Sequence, residues 1–416
     1  MIRHKLHYLL TFLIVSLSIL LNSCNDQPSE VGSEFWLDTI TLRSISTNDT
    51  SLIVNQTNEV KQFGLFRLGG LLLGKANGVT AITFIRFTNI PDTLNYVKES
   101  DIIEATLELT PQKYTFGDTN SNILDFSVYR INNLWFNLTT WDSIVDPSKQ
   151  PYYGPNLYGN FSGTSTTNDS TALKVTINKG LVATFFDMQS DSLQRIKNYG
   201  LALVPNGNTN VIRRFSTKTL LSEDKSKYVI LKVVFRNERK NNILDTILLE
   251  SGVDASIVHD NLVDQNENIV LQGSLMKRTK LTFDLSMIPT SAFIHFAQLS
   301  FERDETKSLG STTGIDEIIA LAYYSSPESA SITSDRLFLS RRKEGTNTYT
   351  FNSIISLVEQ WLRYSKGKGV AYLEPEGTSK LLEIDKVSFY GVSNPDSTKR
   401  PSLKVIYSTR PGFGRK

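Results

Sequence analysis

The chain has 416 residues, with 44 lysines and arginines against 42 aspartates and glutamates, four histidines and one cysteine. This near balance of charges argues against nucleic acid as a partner, because proteins that bind nucleic acid carry a basic surface to neutralise phosphates. One cysteine cannot form an intrachain disulfide or a cysteine-rich metal site. The stability of the fold must therefore come from the burial of apolar side chains.

The N-terminus predicts a signal for export. Arg3 and Lys5 precede an apolar stretch over residues 9–21, which is shorter than the roughly 18 to 20 apolar residues that a membrane-spanning helix needs. A leucine lies three residues before Cys24 and a small residue lies directly before it. This arrangement resembles the lipobox of bacterial lipoproteins.

That resemblance implies that Cys24 becomes the lipidated first residue of the mature chain. We therefore predict a signal peptide over residues 1–23 and a lipidated polar tether over residues 24–35, with the protein anchored to the outer membrane or the cell surface. The alternative is a stray free cysteine. Removal of the signal peptide takes away two basic residues and no acidic one, which leaves 42 of each sign.

The rest of the chain carries the same ordered set of patterns twice, at a spacing of about two hundred residues. The strand ending in a proline turn is the clearest pair, because aligning Pro91 with Pro289 gives both copies the same inward and outward alternation. The matching segments are DTITLRS from Asp38 and DTILLES from Asp245, ITFIRFTNIPD from Ile82 and KLTFDLSMIPT from Lys280, NYGLALVP from Asn198 and GKGVAYLEP from Gly367, and KYVILKVVF from Lys227 and RPSLKVIYS from Arg400.

Each copy also contains one helical pattern, over about residues 179–197 and 352–364, and short β runs between turn residues make up the remainder. We predict a mainly β protein of two tandem antiparallel β-sandwiches of jelly-roll type, each with one short helix. The first domain covers residues 36–236 and the second covers residues 243–409. The polar segment RNERKNN separates them, and residues 410–416 form a basic tail.

The order of these patterns resembles the DNRLRE domain family, which is grouped with carbohydrate-binding modules. The first copy has the family's tryptophan pair at Trp135 and Trp141, whereas the second has SSPESASITSDRLF in that place. The resemblance implies a β-sandwich fold and attachment to glycans. It also leaves open that the second copy is purely structural.

Catalytic chemistry finds little support in the sequence. Only His259 and His295 remain after the signal peptide, far apart and in different strand patterns, and no nucleophile elbow or phosphate-binding glycine loop occurs. We therefore predict that the protein is not an enzyme. A polysaccharide hydrolase or lyase that uses two carboxylates stays as an alternative.

No cofactor is predicted. The segment DQNEN over residues 264–268 places oxygen ligands at alternate positions, as a calcium loop does, but Ile269 stands where an EF-hand needs glycine and Leu275 where it needs glutamate. A structural calcium ion in another loop stays open, with no residue assigned.

Aromatic residues among proline, glycine and asparagine over residues 151–161 are the strongest signal for binding. Turn residues predict that this segment lies outside the sheets, where flat rings can stack on the C–H faces of sugars. The alternative is that the rings cover the open end of the sandwich, and the two tryptophans favour a place in the core. The candidate carbohydrate-binding residues are Tyr152, Tyr153, Tyr158, Phe161, Trp135 and Trp141.

Together these patterns predict a non-catalytic cell-envelope lipoprotein that binds polysaccharide or a surface glycan. Its expected partners are the membrane, through the lipid, and the glycan. The alternative is a structural or assembly subunit of an outer-membrane complex, which would hold other envelope proteins through a broad apolar patch.

Overall fold

The computed structural model describes residues 41–47, 52–60, 65–66, 69–136, 139–146, 148–165, 171–217, 228–261, 267–275, 277–311, 318–325, 334–376 and 382–409. Over these residues the protein is mainly β, with antiparallel strands and few helices, which confirms the predicted fold class. The predicted signal peptide, Cys24, the tether and the C-terminal tail lie outside the described residues. No helix within them is long and apolar enough to cross a membrane.

The strands and the helices have the following bounds, each set given in chain order. The strands are β1 (Leu42–Ser46), β2 (Ile53–Val60), β3 (Leu65–Phe66), β4 (Gly70–Ala76), β5 (Val79–Arg86), β6 (Ile102–Leu109), β7 (Pro111–Gly117), β8 (Ile123–Ile131), β9 (Tyr153–Thr164), β10 (Leu173–Thr176), β11 (Leu201–Pro205), β12 (Val211–Ser216), β13 (Ile230–Asn237), β14 (Ile243–Glu250), β15 (Val253–Asp260), β16 (Asn268–Gln272), β17 (Lys277–Asp284), β18 (Phe293–Glu302), β19 (Ile318–Tyr323), β20 (Arg336–Arg341), β21 (Thr348–Phe351), β22 (Lys368–Pro375), β23 (Lys386–Tyr390) and β24 (Ser402–Ser408). The helices are α1 (Trp141–Val145), α2 (Lys179–Asp187), α3 (Ser192–Ile196) and α4 (Ile355–Ser365).

Two sandwiches of equivalent strand order result from these elements. In the first sandwich, a sheet in the order β7-β12-β4-β5-β11-β8-β9, with β15 paired to β5 and β3 to β15, packs on a sheet in the order β10-β6-β13-β14. In the second sandwich, a sheet in the order β20-β19-β22-β17-β16-β23, with β2 paired to β17, packs on a sheet in the order β1-β24-β18-β21. Strands that correspond in the two sequence repeats follow one another in the same order in the two sandwiches.

The two sequence repeats exchange their first two strands. β1 and β2 belong to the first repeat by sequence, yet β1 pairs with β24 and β2 pairs with β17 in the second sandwich. Their counterparts β14 and β15 belong to the second repeat, yet they pair with β13 and β5 in the first sandwich. The sheets therefore do not follow the division at residues 236–243 that the sequence predicts.

A tight turn at the predicted domain boundary explains half of this exchange. The segment RNERKNN contains a 3-10 turn, Glu238–Lys240, and then Asn241 and Asn242 with left-handed backbone angles φ of 53° and 58°. The Asn242 N–H donates to the Asn237 carbonyl over 2.9 Å, which closes a hairpin. Because a hairpin returns the chain beside the strand it has just left, β14 pairs with β13 and does not begin a new domain.

The helical patterns have different outcomes in the two sandwiches. α4 lies where the second pattern predicts it, and its buried stripe comprises Leu357, Val358, Trp361 and Leu362. The first pattern is split, because α2 ends at Asp187 and the Asp191 side chain caps a separate helix, α3, by accepting the Leu193 N–H over 2.8 Å. Within the described residues the second sandwich has one α-helix, as predicted, whereas the first has three.

The strand alternation places the cores as the sequence predicts. Ile85 and Phe87 lie in the core of the first sandwich, and their counterparts Phe283 and Leu285 lie in the core of the second. In the second core the Trp361 ring stacks on the Phe283 ring, with centroids 4.6 Å apart. Each core is continuous between its two sheets, so each sandwich has its own source of apolar stabilisation.

Candidate binding cleft between the two sandwiches

The aromatic segment predicted to lie outside the sheets is instead strand β9, paired with β8. One glycine that resembles a turn signal has a different role, because a Cβ at Gly159 would lie 2.6 Å from the Thr176 carbonyl oxygen on β10. Glycine therefore permits a close approach of two strands here. The pairing of β8 and β9 also shifts register twice, which accommodates the proline and glycine of the segment.

Two of the candidate aromatic residues pack on the first core. The Phe161 ring stacks on Phe126 with centroids 5.7 Å apart, and Tyr158 packs against the same core. Both side chains are partly buried. They contribute to folding from the edge strand, and they do not form a row of exposed rings.

Three others cover the outer face of the larger sheet in the first sandwich. We call this group the outer-face cluster; its buried members are Ile82, Phe84, Ile131, Trp135, Ile144, Ala202, Ala255 and Ile257, with Tyr129, Trp141, Tyr152 and Tyr153 among those packed against it. The Trp135 ring meets Phe84 edge-on at 5.5 Å, and its indole N–H donates to the Tyr199 carbonyl over 2.7 Å. Tyr153 meets Phe84 edge-on at 6.2 Å. Burial of Tyr153 raises its pKa, since the charged phenolate is disfavoured away from water.

Trp141 differs from the other candidates because it lines a cavity. This cavity, the junction cleft, has a volume of about 180 Å³ and lies between the two sandwiches. Its lining residues are Val60, Thr139, Thr140, Trp141, Asp142, Ile257, Val258, His259, Asp260, Ser274, Leu275 and Lys277. Val60 ends β2 and Asp260 ends β15, so the cleft lies where the exchanged strands finish.

A short helix start holds the tryptophan at this position. Trp141 is the first residue of α1, and Thr140 before it has an extended backbone. The Thr140 N–H donates to the Ser143 hydroxyl over 3.0 Å, and that hydroxyl donates to the Thr140 carbonyl over 2.6 Å. The Trp141 ring stacks on the His259 imidazole, with centroids 4.6 Å apart and planes 7° apart. The helix start and the β15 ring thus fix the indole from two sides.

The charged groups of the cleft have different environments. Asp260 and Lys277 form an ion pair of 2.7 Å across the two sandwiches, with side chains only 3% and 8% exposed. Asp142 is exposed on the first turn of α1. Ser274 is buried, and its hydroxyl has no hydrogen-bond partner among the described residues.

This cleft can hold a small polar ligand against an aromatic surface. Trp141 and apolar side chains from β2 and β15 supply contacts for C–H groups, and carboxylate, hydroxyl and ammonium groups supply hydrogen bonds. Of its functional side chains, only Trp141 was a candidate from the sequence. The cleft draws on three separate segments of the chain, which contain Asp142, then His259 and Asp260, and then Ser274 and Lys277. The strand exchange brings β15, with His259 and Asp260, to the first sandwich.

Other residues that the sequence singled out lie elsewhere. The His295 Nε2 atom lies 2.7 Å from the Ser408 hydroxyl, on an exposed part of β18. Most of the DQNEN segment lies outside the described residues, and Asn268 and Ile269 are buried in β16. Within the described residues, no group of three or more histidine, cysteine, aspartate or glutamate side chains could hold a metal ion.

Comparison with known proteins gives no assignment. No protein-family model matches the chain, and no curated protein matches it either.

Proposed function

We propose that the protein is a non-catalytic lipoprotein of the cell envelope that binds polysaccharide or a surface glycan in the junction cleft. The proposal rests on the position of Trp141. Its ring is partly exposed, lines a concave site, and has carboxylate and hydroxyl groups beside it. Sugars are bound by this combination, because their C–H faces pack on aromatic rings while their hydroxyls need polar partners.

Two features of the sequence support the proposal. The resemblance to the DNRLRE domain family implies attachment to glycans, and the lipobox-like segment ending at Cys24 would fix the protein at a surface where glycans are abundant. A lipid anchor and a polar tether before β1 would leave both sandwiches free to reach such a ligand.

Binding of the soluble chain, residues 25–416, to a panel of neutral and acidic polysaccharides tests the proposal. We expect saturable binding to at least one polysaccharide, and about tenfold weaker binding for Trp141→Ala because a ring contact is lost. The matched control is Tyr364→Ala, which removes a ring that is 83% exposed on α4. Thermal unfolding of each variant shows whether the fold is kept.

Binding that Trp141→Ala weakens and Tyr364→Ala leaves unchanged supports the cleft as the site. Glycan binding that neither variant changes would place the site elsewhere on the protein. A chain that binds no polysaccharide would contradict the proposal.

An assembly subunit is the second candidate, and an edge strand of the first sandwich favours it. Within the part of the chain that the structure describes, β14 is a terminal strand in its sheet, and Ile243, Leu244 and Leu248 on it are 57–60% exposed. Exposed apolar side chains on an edge strand suit pairing with another protein. In that case, crosslinking on intact cells should join the protein to an envelope partner through residues of β14.

A further inference from the structure

The surface beside the hairpin between β13 and β14 combines an edge strand with a groove. Within the described residues, β14 ends its sheet, and it pairs with β13 along its whole length without a register shift. It also contains no lysine and no proline. Lysines, prolines and bulges commonly keep an edge strand from pairing with another chain, and none of these features protects β14.

The groove lies along the first half of β14 and has a volume of about 440 Å³, within the range of sites that hold ligands. Its apolar part consists of Leu94 and Phe235, which are buried in the first core, and Ile247, which packs against that core. Its polar part comprises Thr93, Tyr96, Asn237, Arg239, Lys240, Asp245 and Thr246. The groove therefore has room for an apolar side chain beside polar and charged groups.

Arg239 is the group in the groove that is best placed to bind an anion. Its guanidinium carbon lies 4.0 Å from the centre of the Tyr96 ring, and one guanidinium N–H donates to the Thr93 carbonyl over 3.3 Å. The Asn237 side-chain oxygen holds both partners of this stack, because it accepts the Tyr96 hydroxyl over 2.7 Å and the Arg239 backbone N–H over 3.1 Å. A guanidinium fixed in this way can direct its other N–H groups at a carboxylate with little further loss of side-chain entropy.

The carboxylate that lines the groove serves another cation. Asp245 accepts from the Lys240 ammonium over 2.8 Å. None of the ion pairs among the described residues includes Arg239. Glu238, which precedes Arg239 in the sequence, and Asp92 are exposed and do not line the groove. The groove thus offers an arginine to an incoming carboxylate.

We propose that β14 binds the carboxyl-terminal segment of a partner protein as an added antiparallel strand. Antiparallel addition places the last residue of the partner beside the start of β14, where Arg239 pairs with its terminal carboxylate and the apolar part of the groove contacts its last side chain. The partner's outward side chains lie along Leu244 and Leu248, which are 60% and 57% exposed. A free carboxylate therefore distinguishes this partner from an internal segment of a chain.

This inference goes beyond the glycan proposal and gives the chemistry of the partner at the edge strand that the second candidate function uses. Among the described residues, none that lines the groove or belongs to β14 also lines the junction cleft. A failure of glycan binding therefore leaves the edge-strand proposal standing, and the reverse also holds.

An array of synthetic peptides of about ten residues, long enough to pair with all of β14, tests the proposal on residues 25–416. The peptides have free carboxyl ends and different apolar last residues, with valine and threonine alternating before them in either phase. We expect saturable binding of at least one peptide, and binding at least about tenfold weaker for its C-terminal amide, because charge-assisted hydrogen bonds are lost. Methylation of one alternate set of peptide N–H groups should abolish binding and methylation of the other set should not, since only one set faces β14.

Arg239→Gln should bring the affinities of the acid and the amide to within about twofold of each other, and Arg239→Lys should keep part of the difference through its charge. The matched control is Arg336→Gln, because Arg336 is also exposed and also donates to a backbone carbonyl, that of Ser356, over 3.0 Å. This control should leave the preference for the acid unchanged. Thermal unfolding of each variant shows whether the fold is kept.

An array in which no peptide binds, or equal binding of acid and amide by the wild type, would overturn the proposal. A preference for the acid that Arg239→Gln leaves unchanged would overturn it as well. A dimer of the protein alone that Leu248→Lys dissociates would assign the edge to a second copy of the chain instead.

Discussion

The outer faces of the two larger sheets carry different chemistry on equivalent strands. In the first sandwich, β5, β11 and β15 present the apolar outer-face cluster, which Trp135 and Ile144 cover. In the second sandwich, the equivalent strands β17, β22 and β2 present the Arg278 guanidinium, which lies 4.1 Å from the centre of the Tyr372 ring. Two carboxylates also approach Arg278, Glu59 at 3.4 Å and Glu374 at 3.9 Å.

This difference shows which parts of the repeat are constrained. The inward faces of the equivalent strands are apolar in both sandwiches, because each must bury a core. The outward faces are free to differ, and on the first one Trp135 and side chains of α1 pack. The junction cleft follows from that difference, since Trp141 reaches it from α1.

The strand exchange predicts that the two sandwiches unfold together despite their different surfaces. Trp361→Ala empties part of the second core and should lower the free energy of unfolding by about 3–5 kcal/mol. Phe126→Ala in the first core should have a similar effect, because both rings are at most 1% exposed. Since each sandwich contains two strands from the other repeat, we expect one calorimetric transition that moves down in temperature in both variants.

Amide hydrogen exchange measures the stability of each sandwich separately. In Trp361→Ala, the amides of β8 and β11 in the first sandwich should lose protection, although the substitution lies in the second. Tyr364→Ala on the same helix is the control and should change stability by less than about 0.5 kcal/mol. Unchanged protection of the first sandwich in Trp361→Ala would show that the sandwiches are independent.

The ion pair across the junction gives the next largest effect. Lys277→Met removes the ammonium that lies 2.7 Å from the buried Asp260 carboxylate and should lower the free energy of unfolding by about 3 kcal/mol. Adding Asp260→Asn removes the buried carboxylate charge as well, so the double variant should regain at least about half of that loss. Urea unfolding of the wild type, both single variants and the double variant measures the coupling. Additive effects of the two substitutions would show that the pair does not hold the junction.

The sequence predicts the interior of each sandwich better than its pairing partners. The period-two alternation around Phe283 and the three-and-four spacing around Trp361 identify core residues directly, because those side chains have to be buried whatever lies next to them. The exchange is different, because β1 and β14 have matching patterns and either could occupy either place. Hydrophobic alternation fixes which face of a strand is buried and does not fix which sandwich contains it.

The candidate site was predicted only in part for the same physical reason. The tryptophan pair and the aromatic segment indicate rings near one end of the first sandwich, and Trp141 does line a cleft. The glycines around Gly159 indicate turns as readily as close contact between strands, so the sequence predicts a loop where β9 lies. Asp260 and Lys277 meet across two sandwiches that the sequence treats as separate, and no local pattern marks them.

The smallest predicted effect concerns a tyrosine that joins the first sandwich to the second. Tyr114 on β7 is fully buried, and its hydroxyl oxygen accepts the Ile384 N–H over 2.5 Å. Burial raises the Tyr114 pKa well above its usual value, and the nearby Asp385 and Glu383 carboxylates raise it further. The neutral phenol is therefore the form that the folded state favours.

The raised pKa of Tyr114 determines how the free energy of unfolding depends on pH. An unfolded tyrosine ionises near pH 10, so the stabilisation by Tyr114 is complete below about pH 10 and is lost progressively as the pH rises above it. Tyr114→Phe should cost about 1 kcal/mol at neutral pH through the lost hydrogen bond, and it should make the alkaline decrease in stability less steep. Burial also raises the pKa of Tyr324 in the second sandwich, so Tyr324→Phe is the matched comparison. Urea unfolding of the two variants at pH 8, 10 and 11 measures how steeply the free energy of unfolding of each one falls with pH. Tyr324→Phe could make this decrease less steep while Tyr114→Phe leaves it unchanged. The ionisation that limits stability at high pH would then lie on the outer face of the second sandwich and not at Tyr114.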